Sequence, residues 1–270
     1  MATKKTASSK KSVATTKAKS NKVTTVKAVS ATSSNRLPVL GSVKTPQVSA
    51  AVAEFVGTFI LAAAVIASQG QPVLVLFALV GAVLAVGAAS GAHLNPAITV
   101  AAWATRKMTA VRALVYIVAQ VLGAMLALVV LNAFVGQAPD VSSQASMLGQ
   151  GAQELFKATA IPAGKEWTLI LAELMGAAIF GFAFASARKQ VTRLSKAFTI
   201  GLGFFLALLV AGSAAAAISG MTILNPAVAV ALQAIDFNSV WPVAIYVLAT
   251  VVGAAGGFVL NDLLGVDADA

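Results

Sequence analysis

The chain has 270 residues, 59% of them hydrophobic and only 10% charged, and a mean hydropathy of +0.88 that lies far outside the range of soluble globular domains. It has no cysteine, which excludes disulfide and thiol chemistry, and its one histidine and nine carboxylates offer little for a metal cluster or an acid–base dyad, so no metal or cofactor is expected. The net charge of +10 belongs to one end: residues 1–47 hold nine Lys and Arg36 with no acidic residue, and the rest of the chain is neutral.

That basic stretch is the first element in chain order. It is rich in Lys, Ser, Thr and Ala and has no aromatic residue. Such a composition buries too little apolar area to offset chain entropy, so residues 1–47 are expected to be disordered. The stretch also lacks the apolar core of a secretory signal. Its charge suits a solvated tail on the cytoplasmic side, a polyelectrolyte binding anionic lipid or nucleic acid, an organelle transit peptide or a topology anchor.

Six apolar segments follow, at 48–68, 73–89, 111–135, 167–187, 197–217 and 240–264. Each is near the ~20 residues that cross a bilayer. Two further apolar stretches, 95–105 and 225–235, are too short to cross, and each opens on the same tripeptide: Asn95-Pro96-Ala97 and Asn225-Pro226-Ala227. Asn caps helices well and Pro is tolerated at the first helical position, so both read as half-helices, or re-entrant segments. Helix starts set in lipid-grade sequence are costly unless they line something polar, and the pair points to a pore. Trp103, Trp167 and Trp241 fall near segment ends, as interfacial or packing aromatics do. Arg106, Lys107, Arg112, Arg188, Lys189, Arg193 and Lys196 fall on the side of the tail; Lys157 and Lys165 fall opposite, balanced by Asp140, Glu154 and Glu166. By the positive-inside rule this asymmetry places both termini in the cytoplasm.

The two halves repeat. From Asn95, Tyr116 stands at +21, Gln120 at +25 and Gly123-Ala124 at +28; from Asn225, Tyr246, Thr250 and Gly253-Ala254 stand at the same offsets. Upstream, Ala53-Glu54-Phe55-Val56-Gly57 answers Ala172-Glu173-Leu174-Met175-Gly176, with extra residues between Glu173 and Asn225. Three crossings per half turn the second copy upside down. The predicted fold is therefore an all-α membrane protein of six transmembrane helices and two re-entrant half-helices in an inverted 3+3 repeat. Its body spans 48–266, with repeats at 48–136 and 167–266, and any site belongs near the midplane. Half-helices entering from opposite faces would bring two positive dipole ends together, with an Asn amide at each. A hydroxylic molecule accepts those donors, whereas a cation meets an opposing field.

The run Ser90-Gly91-Ala92-His93-Leu94-Asn95-Pro96-Ala97-Ile98-Thr99, the second Asn-Pro-Ala, the membrane Glu54 and Glu173 and the Gln120-x-x-Gly123-Ala124 pattern together resemble the major intrinsic protein family, the aquaporins and glycerol facilitators. The likeness covers nearly everything but the tail. It implies a channel for passive diffusion of water or small neutral solutes, assembled as a homotetramer with a pore in each subunit, in the plasma membrane. By resemblance Asn95 and Asn225 are the central donors, and Pro96, Ala97, Pro226 and Ala227 complete the two motifs. The carbonyls of Gly91, Ala92, His93 and Leu94, and of Met221 to Leu224, form acceptor ladders. Glu54 and Glu173 each hold the loop of their own half rather than relay protons or bind ions. His93 is either a packed loop residue or a group that gates by protonation.

One departure bears on the cargo. Where the family usually carries Arg after the second Asn-Pro-Ala, this chain has Val228. Val75 takes the usual aromatic filter position and Thr222 the loop position, while the fifth-span position falls on Leu208 counting from Gly201 or on Ser213 counting back from Asn225. Such a filter is apolar, lacks its fixed charge and is expected to be wider unless other side chains refill it. It would pass larger or less polar neutral solutes, leak ions, or dewet and close. Arg112 and Arg193 lie on the wrong side to substitute. An ion-coupled secondary transporter and a non-conducting membrane organiser are the other classes; the shortage of intramembrane charge argues against the first. No nucleophile–base pair or phosphate loop suggests an enzyme.

Overall fold

The computed structural model describes residues 46–135 and 155–265, and the regular structure among them is entirely helical. Helices α1 (Pro46–Ala67), α2 (Pro72–Ser90), α4 (Ala110–Val135), α5 (Glu166–Ala187), α6 (Arg193–Ala216) and α8 (Val240–Gly265) are long and apolar enough to cross a membrane. Between them lie two short helices, α3 (Pro96–Ala104) and α7 (Pro226–Ala231). The expected disorder of the tail before Pro46 and the fate of the acidic C-terminal end lie outside the described residues.

Local chemistry sets most of the helix starts. Pro72, Pro96 and Pro226 occupy first-turn positions, where the missing N–H removes nothing the helix needs. The short helices also end alike, on a residue in the left-handed region: Arg106 (φ +60°) after α3 and Gln233 (φ +57°) after α7. In each case the amide that follows reaches back five residues, Lys107 N to Ala102 O at 2.7 Å and Ala234 N to Ala229 O at 2.8 Å, and closes the last turn. The second short helix stops at Ala231, earlier than the expected 235, because this cap arrives one turn sooner than in α3. Helix α8 widens into a π-helical turn over Ala244–Ala249, which carries Tyr246.

Packing repeats between the halves. The broadest contacts join α5 to α8 and α1 to α4; α1 also packs on α2 as α5 does on α6, and α2 meets α6 across the middle. Each short helix crosses over: α3 lies against α8 of the other half, and α7 against α4. Two glycines permit matching close approaches in the two halves. A Cβ on Gly123 of α4 would run into the backbone of Phe55 in α1, and one on Gly253 of α8 into the backbone of Leu174 in α5. The +28 offset thus marks one matched pair of sites where neighbouring backbones touch; Gly181 and Gly257 make further such contacts between α5 and α8. Facing outward, Val111, Leu114, Val118 and Leu122 of α4 and Leu202, Leu206 and Leu209 of α6 are exposed, a broad apolar surface that suits lipid rather than water.

Candidate functional site

The candidate site forms where the loop after α2 meets the loop after α6. The first loop turns out of its helix through Gly91 (φ +94°), Ala92 (φ +52°) and Leu94 (φ +50°); the second does so through Ser219 (φ +58°) and Leu224 (φ +59°). Left-handed backbone at a leucine costs on the order of 1–3 kcal/mol and persists only where the surroundings enforce it. Here the enforcement comes from a buried carboxylate in each half.

Glu54 and Glu173 are fully buried. Glu54 accepts hydrogen bonds from His93 N (2.9 Å) and Leu94 N (2.7 Å), one to each oxygen. Glu173 accepts from Ile223 N (2.6 Å) and Leu224 N (3.0 Å) in the same way. The loops therefore present amides inward to a carboxylate of their own half. The match is incomplete in one respect. Gln120 donates a third bond to Glu54 (2.8 Å) and another to Thr99 Oγ1 (2.9 Å), whereas its counterpart Thr250 turns its hydroxyl onto its own helix at Tyr246 O (3.0 Å).

Asn95 and Asn225 then close the two loops onto each other. Their Oδ1 atoms cap α3 and α7 by accepting from Ala97 N (2.8 Å) and Ala227 N (3.0 Å). Their amide nitrogens cross over: Asn95 Nδ2 donates to Leu224 O (2.8 Å) and Asn225 Nδ2 donates to Leu94 O (2.9 Å). The strained leucines thus turn their carbonyls toward the opposite Asn. An amide nitrogen has two hydrogens, so each Asn keeps one N–H beyond this bond. Of the carbonyls expected to act as acceptors, those of Leu94 and Leu224 are engaged in the cross-bond, and Met221 O accepts from Tyr246 Oη (3.3 Å).

A cavity lies beside each loop. The one beside the second loop is about 30 Å³ and is lined by Val75, Leu208, Thr222 and Val228 together with Phe204 and Met221. A water needs roughly 10–15 Å³ by this measure, so there is room for about two. Val75, Thr222, Val228 and Leu208 are therefore brought together. Ser213 is not: it is exposed and its hydroxyl donates back to Leu209 O (2.7 Å). The extra residues of the second half fall after α6, in a turn closed by Gly220 N to Ala215 O (2.8 Å), so a count back from Asn225 stops short of Leu208. Phe204, one turn before Leu208, and Met221 line the same cavity. Sequence reading missed Phe204 and had Met221 only as a loop carbonyl, although the i, i+4 relation of Phe204 to Leu208 puts those two on one helix face.

The other cavity, beside the first loop, is about 210 Å³ and is lined by Gly91, His93, Tyr116 and a group of cationic side chains. His93 is packed: its Nδ1 lies 3.2 Å from Thr99 Oγ1, and its ring meets Tyr116 and Phe184 edge-on at centroid distances of 5.4 and 5.2 Å. Arg112 lines this cavity and not the one at Val228.

Among known proteins, the family described as Major intrinsic protein matches residues 42–161. Aquaporin NIP1-1 of Zea mays is 31% identical over 180 residues, 65% of this chain and 55% of its own. Glycerol uptake facilitator protein-like 6 of Lactiplantibacillus plantarum is 36% identical over 107 residues, 37% of this chain and 48% of its own. Aquaporin-1 of Ovis aries is 41% identical over 66 residues, 24% of either chain. This chain thus spans about half the length, or less, of these relatives. In three dimensions the aquaglyceroporin from Plasmodium falciparum superposes with a TM-score of 0.58 at 18% identity, covering 81% of this chain and 95% of that one, a likeness of fold.

Proposed function

The chain belongs to the major intrinsic protein family, and we propose that it is a multi-pass membrane channel for passive diffusion of water and small neutral solutes. The observation that carries this reading is the cross-bonded pair Asn95 and Asn225, each with one N–H left to offer, set between a cavity beside either loop. In the proposed channel, α3 and α7 are re-entrant half-helices meeting N-terminus to N-terminus. A passing hydroxyl or water oxygen accepts from the free amide hydrogens. Glu54 and Glu173 keep the loop amides turned away from the path, so that carbonyls rather than donors face it. No step requires bond making or a cofactor.

The selectivity element of this channel is the small cavity of Val75, Leu208, Thr222 and Val228. Its walls favour water and compact, weakly polar solutes over glycerol-sized polyols. The same 30 Å³ apolar cavity supports a second reading, a ring that dewets and stays closed. In the proposed setting the protein is a homotetramer in the plasma membrane, with both termini and the arginine-rich end in the cytoplasm. Stopped-flow shrinkage of proteoliposomes against water, glycerol, urea and an ionic osmolyte tests the function. Fast water flux with slower urea and glycerol flux is expected. Rates equal to those of protein-free vesicles for every solute would leave the closed reading in place.

A further inference from the structure

The larger cavity has a chemistry that passage of a neutral solute does not call for. Lys107, Arg112, Arg188 and Lys196 all line it, drawn from two separate stretches of the chain, 107–112 and 188–196. The positive-inside rule accounts for cations at this end of the molecule. It does not account for four of them converging on one recess whose other walls are His93, Tyr116 and Phe184.

Their partners are few. Lys107 pairs with Asp262 (2.6 Å). Arg112 directs its Nη2 to Tyr116 Oη (2.6 Å), and Tyr116 Oη in turn donates to Ser90 O (2.7 Å). That network fixes the guanidinium against the aromatic ring, 5.1 Å from its centroid, but supplies no negative charge. Among the described residues, the side chains of Arg188 and Lys196 make no hydrogen bond, and the carboxylate acting on Arg188 is the same Asp262 already bound to Lys107. Three of the four cations therefore face the recess without a carboxylate of their own. Like charges held together are unfavourable unless solvent or an anion offsets them, and arginine forks match the geometry of phosphate and carboxylate oxygens.

We infer that this recess is an oxyanion-binding site, with Arg188 and Lys196 as its principal ligands and Arg112 as a prefixed third, taking a phosphate-type group. The recess lies directly before Asn95, since Gly91 and His93 belong to its wall. An occupant there stands in the path to the Asn pair and obstructs it. The site stands whether or not solutes cross.

Titration calorimetry on the full-length protein in detergent, with inorganic phosphate as the probe, tests it. Saturable binding is expected, weakened about tenfold or more in the double variant Arg188→Gln/Lys196→Gln, as loss of charge-assisted bonds implies. A second double variant, Arg106→Gln/Lys189→Gln, removes the same charge outside the recess and is expected to bind as the parent does. A parallel arm uses nanodiscs with and without phosphatidic acid, to separate a free anion from a lipid headgroup; saturation by either source through Arg188 and Lys196 supports the site. Well-folded protein that shows no saturation by either probe up to tens of millimolar phosphate would overturn the inference. Equal weakening by the two double variants would also overturn it, since it would mean a diffuse surface charge.

Discussion

Val228 is the third residue of α7, after the cap Asn225 and the helix-opening Pro226 and Ala227, and is only 3% exposed, in the wall of the small cavity where Val75 and Leu208 converge. A guanidinium at that position would add both volume and charge to a space of about two waters. In Val228→Arg, solute flux and any ion leak are expected to fall; unchanged solute flux in proteoliposomes, with the variant still monodisperse, would place Val228 away from the constriction. The carboxylates invite a second comparison at this scale. Replacing Glu173 by Ala leaves the amides of Ile223 and Leu224 without an acceptor, at on the order of 1–3 kcal/mol for each buried donor. A clear drop in the thermal midpoint in detergent is expected for Glu173→Ala and partial recovery for Glu173→Gln, which keeps one acceptor. At Glu54, Gln120 stays hydrogen-bonded to Thr99 when the carboxylate is removed. Its two loop amides, His93 N and Leu94 N, lose their acceptor as in the other half, and a similar drop is expected.

Among the elements, α4 and α8 carry equivalent close backbone contacts at Gly123 and Gly253. Overpacking such a contact costs typically 1–3 kcal/mol. Gly123→Ala and Gly253→Ala are expected to lower the thermal midpoint, whereas Gly81→Ala and Gly256→Ala, where a Cβ meets nothing within 4 Å, should leave it unchanged or raise it slightly. A uniform effect of all four would mean that helix propensity, and not the α1–α4 and α5–α8 contacts, governs the result. The extents of the six spans were legible from apolar length alone, to within a few residues, and both short helices from Asn-Pro. The end of α7 was not. Its cap is closed by Gln233 in the left-handed region, a position where sequence ordinarily signals with Gly or Asn.

At the scale of the whole molecule, the short helices exchange partners, α3 resting on α8 and α7 on α4, so neither half completes its site alone. Deleting residues 1–45, which precede α1, is expected to leave permeability per protein unchanged and to reduce retention on anionic vesicles. A loss of permeability would bring the tail into the working parts of the proposed channel.

By itself the sequence determined the membrane class, the six spans, the two Asn-Pro helix starts and the duplication, because each of these is carried by composition or by spacing along the chain. Only the tertiary structure decided how the site closes. The bonds from Asn95 to Leu224 and from Asn225 to Leu94 join residues more than a hundred positions apart, and no local pattern encodes them. That Leu208, Phe204 and Met221 line the small cavity while Ser213 is exposed likewise comes from packing, since the extra residues of the second half could lie before or after the end of α6 and only three-dimensional register says which. The convergence of Arg188, Lys196 and Arg112 on one recess belongs to the same level. Charge along the chain assigns these residues to one side of the membrane, while the fold decides which of them share a wall.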